Sequence, residues 1–224
     1  MAVLDFGDPT RPVDMLFLHA NGFNALTYRV ILQPIAAGAR ILALDQRGHG
    51  GTTLEARVEG RRNWLDFRDD LLAFLETQDL ADVVLAGHSL GGAVSIFAAA
   101  EVPGRVRRLV LLDPVMPPPG FRLNSGDAPP ALVAGALKRR TTFPGREAVI
   151  AAYRGRAAFK NWFEPMLADY VTDGFLNLAS GEVTLACRPQ WEASSFAAQE
   201  QDVWGALSRT ACPIRVIIRM LTAT

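Results

Sequence analysis

Gly87-His88-Ser89-Leu90-Gly91 places a serine between two glycines, with the apolar run Asp82–Ala86 before it and the small-residue run Gly92–Ala100 after it. A serine hydroxyl is a weak nucleophile unless it is held on a sharp strand-to-helix turn, exposed above a sheet and beside the free N–H groups of a helix start. Glycine two positions before and two after such a serine removes the Cβ atoms that would otherwise meet the neighbouring strand and helix. The chemistry to expect is nucleophilic attack by Ser89 on an acyl or related carbon.

Two further segments carry polar loops at the ends of apolar runs. Met15–Leu18 leads into His19-Ala20-Asn21-Gly22-Phe23, a tight loop suited to supplying a backbone N–H to a developing oxyanion. Arg40–Leu44 leads into Asp45-Gln46-Arg47-Gly48-His49-Gly50. Taken in this order, the three segments resemble the α/β-hydrolase family, matching its H-G loop, its D-x-R-G-H-G loop and its G-H-S-x-G-G turn. The resemblance is strong from about Val3 to Asp113 and weak after it.

The resemblance implies a serine, an acid and a histidine acting in that chain order, with no cofactor and no metal. Ser89 matches the nucleophile. The backbone N–H of Leu90 and one from the Asn21–Phe23 loop, with Asn21 the first choice, match the oxyanion hole. Asp113, at the end of the strand after Ser89, is the candidate acid, although it equally suits a loop residue that binds nearby backbone N–H groups. The chain holds three histidines, His19, His49 and His88, and all precede Ser89. In the family His19 and His49 match loop positions that shape the oxyanion region or brace the fold, and His88 should point away from the hydroxyl. None stands at the family's base position. The resemblance also places an acid loop, a last strand and the catalytic histidine beyond the final residue, so it implies a C-terminally incomplete and catalytically impaired hydrolase, a ligand-binding relative that does no chemistry, or a protein whose histidine comes from a partner chain. Dehalogenases and epoxide hydrolases of this family carry aspartate where Ser89 stands.

The elements that must position these residues follow from continuous apolar runs at Val3–Phe6, Val13–His19, Arg40–Leu44, Asp82–Ala86, Leu109–Asp113 and Ile214–Ile218. Runs without alternation suit strands buried on both faces of a parallel sheet. Helical patterns lie between them: Thr27 to Ala37 with Pro34 inside, Asn63 to Gln78, and the residue after Ser89 to Glu101. This alternation predicts an α/β fold, a mostly parallel, doubly wound sheet lacking its final strand. Residues 1–114 form the core, 115–211 an inserted helical cap without a clear strand, and 212–224 the last core strand. Gly120, Pro129 and their proline neighbours mark the exit from the sheet, and the aromatic residues between Phe143 and Trp204 supply the cap's own core and part of an apolar cleft.

At 224 residues, half of them hydrophobic, the chain can bury one substantial core. Its 23 basic and 23 acidic residues cancel, so composition points to no nucleic acid and no membrane as partner, only to a small-molecule substrate. The start of the chain has no secretion-signal pattern, which suits a cytoplasmic protein. Cys187 and Cys212 are read as reduced and structural. An Ile214–Ile218 strand at the sheet edge would favour a homodimer through that edge.

Overall fold

The computed structural model describes residues 1–119 and 130–218, so Gly120, Pro129 and residues 219–224 lie outside the described residues. Chain order begins β1 (Val3–Phe6), β2 (Met15–Leu18), α1 (Arg29–Ile35), β3 (Ile41–Leu44), α2 (Leu65–Thr77), β4 (Val83–His88), α3 (Leu90–Glu101) and β5 (Val106–Leu112). It continues through α4 (Ala131–Leu137), β6 (Thr142–Phe143), α5 (Arg146–Tyr153), α6 (Glu164–Gly174), β7 (Phe175–Asn177), β8 (Val183–Leu185), α7 (Pro189–Ala197) and α8 (Val203–Arg209), and returns to the sheet in β9 (Ile214–Ile217).

The main sheet has six strands in the order β1-β3-β2-β4-β5-β9. Only the β1–β3 pair is antiparallel; every other pair is parallel. The apolar runs are continuous because the sheet is covered on both sides. Leu16 and Leu18 of β2 and Leu42 and Leu44 of β3 enter one core with α2 and α3, whereas Phe17, Ile41 and Ala43 enter a second core with Tyr28 and Leu32. Successive side chains of a strand alternate faces, and here both faces exclude water.

Helix α1 starts later than the Thr27 cap reading expects. Leu26–Tyr28 is a 3-10 turn, and Thr27 donates from both its N–H and its hydroxyl to Asn24 Oδ1, at 2.9 Å each. Pro34 sits inside α1 without ending it. For α2, the Asn63 side chain does accept a hydrogen bond from the Leu65 N–H at 3.2 Å.

The segment after β5 differs from the expectation of helices alone. β6, β8 and β7 pair as a three-stranded antiparallel sheet, with Phe143, Phe175, Val183 and Leu185 buried against Leu167, Tyr170 and Val171 of α6. Two- and three-residue strands are too short for an alternating pattern to emerge from sequence. Trp191 of α7 is buried in the main core instead, sandwiched with Phe67 and the Arg61 guanidinium, which lies 4.0 Å from its ring centre. α8 packs on α3.

β9 is the edge strand, and its residues from Ile214 to Ile217, with Ile218 beyond, are exposed. Both cysteines are free thiols; Cys187 is buried, and burial pushes its pKa up. Among the described residues no helix is long and apolar enough to cross a membrane.

Candidate active site

β4 ends at His88 and α3 begins at Leu90, so Ser89 alone makes the turn, at φ 55° and ψ −116°. A side chain in that region costs about 1–3 kcal/mol, and it persists only where the surroundings over-determine the backbone. Here they do. The Ser89 N–H donates to Leu112 O of β5 at 3.0 Å, and its carbonyl accepts from Gly92 N at 3.1 Å, Ala93 N at 3.3 Å and Val115 N at 3.1 Å. The flanking glycines let the elements close to this distance. A Cβ on Gly87 would lie 2.4 Å from the Gly91 carbonyl, and one on Gly91 would lie 2.4 Å from Leu18 O of β2.

His19 and His49 are committed at both ring nitrogens and His88 at one. His19 is fully buried; its Nε2 accepts from Gln46 N at 3.0 Å, so the Nδ1 proton goes to Ala20 O at 2.8 Å. His49 repeats the pattern, with Nε2 accepting from Gly22 N at 3.0 Å and Nδ1 donating to Arg47 O at 2.9 Å. The two rings meet edge to face at 4.9 Å. They tie the β2 and β3 loops to each other, a bracing role. His88 turns to Tyr28, whose hydroxyl donates to its Nδ1 at 2.7 Å and accepts from Ala20 N at 3.1 Å. Asp45 completes the frame by accepting from Ala25 N and Gly51 N, both at 2.8 Å.

These bonds consume the loop's donors one at a time. The N–H groups of Ala20, Gly22 and Phe23 go to Tyr28, His49 and Ala20 O. The N–H of Asn21 has no acceptor among the described residues, and neither has that of Leu90 at the first turn of α3. Both residues line a cavity of about 310 Å³ together with Ser89, Trp64, Met116 and Phe196. The cavity wall is mostly apolar, and no histidine is among its described lining residues. Asp113 lies off that lining. It is exposed at the end of β5, in the left-handed region at φ 44°, and its N–H donates to Ile217 O at 2.7 Å. Its charge acts on His88, whose pKa is nonetheless lowered, mainly by burial.

Sequence reasoning missed the residues that support the loop from a distance. Tyr28, Tyr170 and Glu192 carry no motif. Glu192 O accepts from Asn21 Nδ2 at 3.0 Å across 171 residues of chain, and Tyr170 OH donates to Gly22 O at 3.3 Å. No local spacing signals such contacts. Among the described residues no group of three or more His, Cys, Asp or Glu side chains could hold a metal ion.

The buried histidines carry a pH dependence. Burial lowers the pKa of His19 and, further, of His49, where the neighbouring His19 adds to the effect. Both are therefore neutral when folded while their unfolded forms take up a proton near pH 6.5. Stability is fully present above about pH 6.5 and is lost as pH falls below it towards the folded pKa values, at up to roughly 1.4 kcal/mol per pH unit for each histidine. Thermal unfolding followed between pH 7.5 and 5 should show this loss, and His49→Gln should flatten it; an unchanged slope in the variant would refute the assignment.

Comparison with known proteins places these features in context. A family model described as the alpha/beta hydrolase family matches residues 15–222. Over 99 residues the chain is 33% identical to the 2-(acetamidomethylene)succinate hydrolase of Mesorhizobium japonicum, covering 44% of this chain and 34% of that protein. Over 130 residues it is 35% identical to the non-heme chloroperoxidase CPO-A1 of Kitasatospora aureofaciens, covering 57% of this chain and 46% of that protein. The matched stretches thus span less than half the length of these relatives. The crystal structure of E-2-(acetamidomethylene)succinate hydrolase superposes on 96% of this chain and 74% of that one, with a TM-score of 0.73 at 22% identity, a likeness of fold.

Proposed function

Because the chain belongs to the alpha/beta hydrolase family, we propose that Ser89 is its nucleophile and that it forms an acyl-enzyme with a small, largely apolar ester or related carbonyl compound. The observation that carries this reading is the pairing of a strained serine with two unspent N–H groups over one cavity. As Oγ adds to the carbonyl carbon, negative charge moves onto the carbonyl oxygen, where the N–H groups of Leu90 and Asn21 would receive it. A donor pair held in place before reaction pays no reorganisation when the charge develops, and each such donor is worth roughly 10²–10³ in rate.

Asp113, exposed at the carboxyl end of the strand beside β4, is the proposed acid. His19 and His49 are poor proton acceptors for Ser89, because their ring nitrogens are spent on backbone groups, and Nδ1 of His88 meets the Tyr28 hydroxyl. A second reading, supported by the same mostly apolar cavity, is a ligand-binding protein on the same fold or an inactive fragment. A fluorophosphonate probe separates the two. Covalent label on the peptide containing Ser89, with release of p-nitrophenol from p-nitrophenyl acetate, supports the hydrolase; a folded chain that takes no label supports the binding protein or an inactive fragment.

We also infer a homodimer through the β9 edge, which no other strand among the described residues pairs on its outer side and which runs beside exposed Val216, Ile217 and Ile218. Val216→Lys should shift the chain towards monomer in size-exclusion chromatography. A parent chain that is monomeric at every concentration would end this inference.

A further inference from the structure

A second cavity, of about 540 Å³, adjoins the Ser89 cavity and shares Asn21, Leu132 and Phe196 with it. We propose that this second cavity is an anion subsite that receives a carboxylate carried by the same molecule whose carbonyl reaches Ser89. The proposal deepens the hydrolase reading, on which its second half rests.

Charge is the first argument. The chain as a whole is neutral, with 23 basic and 23 acidic residues. The lining of this one cavity nevertheless holds Arg139, Arg140 and Arg156 against a single acid, Glu192. Its remaining walls are largely apolar, with alanines beside the rings of Phe23, Tyr153 and Phe159. A pocket built only for an apolar substrate has no use for three guanidinium groups at its wall and rim, and the part-buried Arg139 loses further hydration as such a pocket fills.

Geometry is the second. Arg139 is held at the floor, its side chain 17% exposed, with Nη1 donating to Glu192 at 2.5 Å and Nη2 donating to Tyr170 OH at 2.6 Å. The same Nη2 reaches Tyr153 OH only at 3.5 Å. Its Nε–H and the second Nη1–H have no acceptor among the described residues. Arg140 and Arg156 are exposed at the rim. Arg140 donates from Nε to Thr142 O at 2.8 Å and lies 4.3 Å from the Phe143 ring centre, and neither it nor Arg156 has a carboxylate partner among the described residues. Arginines elsewhere mostly do have one, as with Arg29 and Asp169, Arg47 and Asp70, or Arg61 and Asp66. Planar guanidinium forks match a carboxylate, and a locally positive cleft draws an anion in. Glu192 is paired with Arg139, which leaves the rim guanidiniums of Arg140 and Arg156 to meet the carboxylate.

The test is ligand binding to the full chain, followed by tryptophan fluorescence or calorimetry, with Ser89→Ala used to prevent turnover. Monomethyl adipate should bind about tenfold or more tighter than dimethyl adipate, and the preference should shrink as salt is raised. Arg140→Gln combined with Arg156→Gln, both at exposed positions, should erase most of that preference while leaving dimethyl adipate binding unchanged. Equal binding of the two esters, an unaffected double variant, or tighter binding of methyl phosphate than of monomethyl adipate would each overturn the proposal. The half-ester preference and fluorophosphonate labelling are read independently. Preference without labelling leaves the anion subsite standing and removes the hydrolase reading; labelling without preference does the reverse.

Discussion

Replacing Ser89 with alanine should abolish covalent capture of a fluorophosphonate on the peptide that carries residue 89, although the drop is smaller than the roughly 10⁴–10⁶-fold seen when a complete triad loses its nucleophile, because triad members act as a unit. The substitution leaves the cavity walls and both free N–H groups in place, so the loss would belong to the hydroxyl itself. Ser89→Gly makes the prediction two-sided. Glycine adopts φ 55° without the Cβ penalty, so it should abolish labelling and also recover part of the roughly 1–3 kcal/mol stored in the turn. For a domain of this size each kcal/mol corresponds to about 2–4 °C in Tm. A glycine variant that is dead and more stable would mark Ser89 as a residue held in place for its chemistry. Undiminished labelling of the alanine variant would remove Ser89 from the mechanism, and a glycine variant no more stable than the parent would remove the strain argument.

The second large effect concerns the glycines beside it. Gly91→Ala should destabilise the fold by on the order of 3 kcal/mol or more, because the new Cβ would stand 2.4 Å from Leu18 O and 2.7 Å from His19 O. These are backbone atoms of the central strand and of the loop that bears Asn21, and they have nowhere to retreat. Gly87→Ala meets the Gly91 carbonyl at the same 2.4 Å. Both variants should unfold at least roughly 6–12 °C below the parent or accumulate in insoluble form. Gly38→Ala is the control, since a Cβ there meets nothing within 4 Å, and it should stay within about 0.5 kcal/mol. Parental stability for Gly91→Ala would mean that α3 and β2 are not packed as closely as the structure has them.

These two sites are also where sequence and structure agree most fully, for a local reason. A turn with glycine two residues either side of a serine is specified by neighbours in the chain, and so are strands that bury both faces. The six apolar runs became the six strands of the main sheet, with β4 extending to His88, further than its apolar stretch, because the turn itself continues the ladder. The choice of Asn21 over Gly22 and Phe23 had only resemblance behind it. Its N–H stands apart once Tyr28 and His49 are seen to occupy the donors around it.

Other features depended on contacts that no window of sequence contains. The fate of each histidine was set by which backbone group happened to meet its second nitrogen, and a ring in isolation offers both nitrogens equally. Of the three short strands of the 115–211 segment, β7 and β8 form a local hairpin, but β6 took shape only by pairing with β8 about 40 residues further on. Arg139 looks, in sequence, like part of a basic run with Lys138 and Arg140, a solvated surface; only packing turned it inward onto Glu192 and Tyr170. The chain's own order thus determined the strand–helix alternation, the Ser89 turn and the glycines that let it close, since those follow from φ, ψ and side-chain periodicity among near neighbours. Tertiary structure alone decided which donors stay unspent and which charges face a cavity, because hydrogen-bond partners and burial are properties of residues brought together from far apart, as Asn21 and Glu192 are across 171 positions.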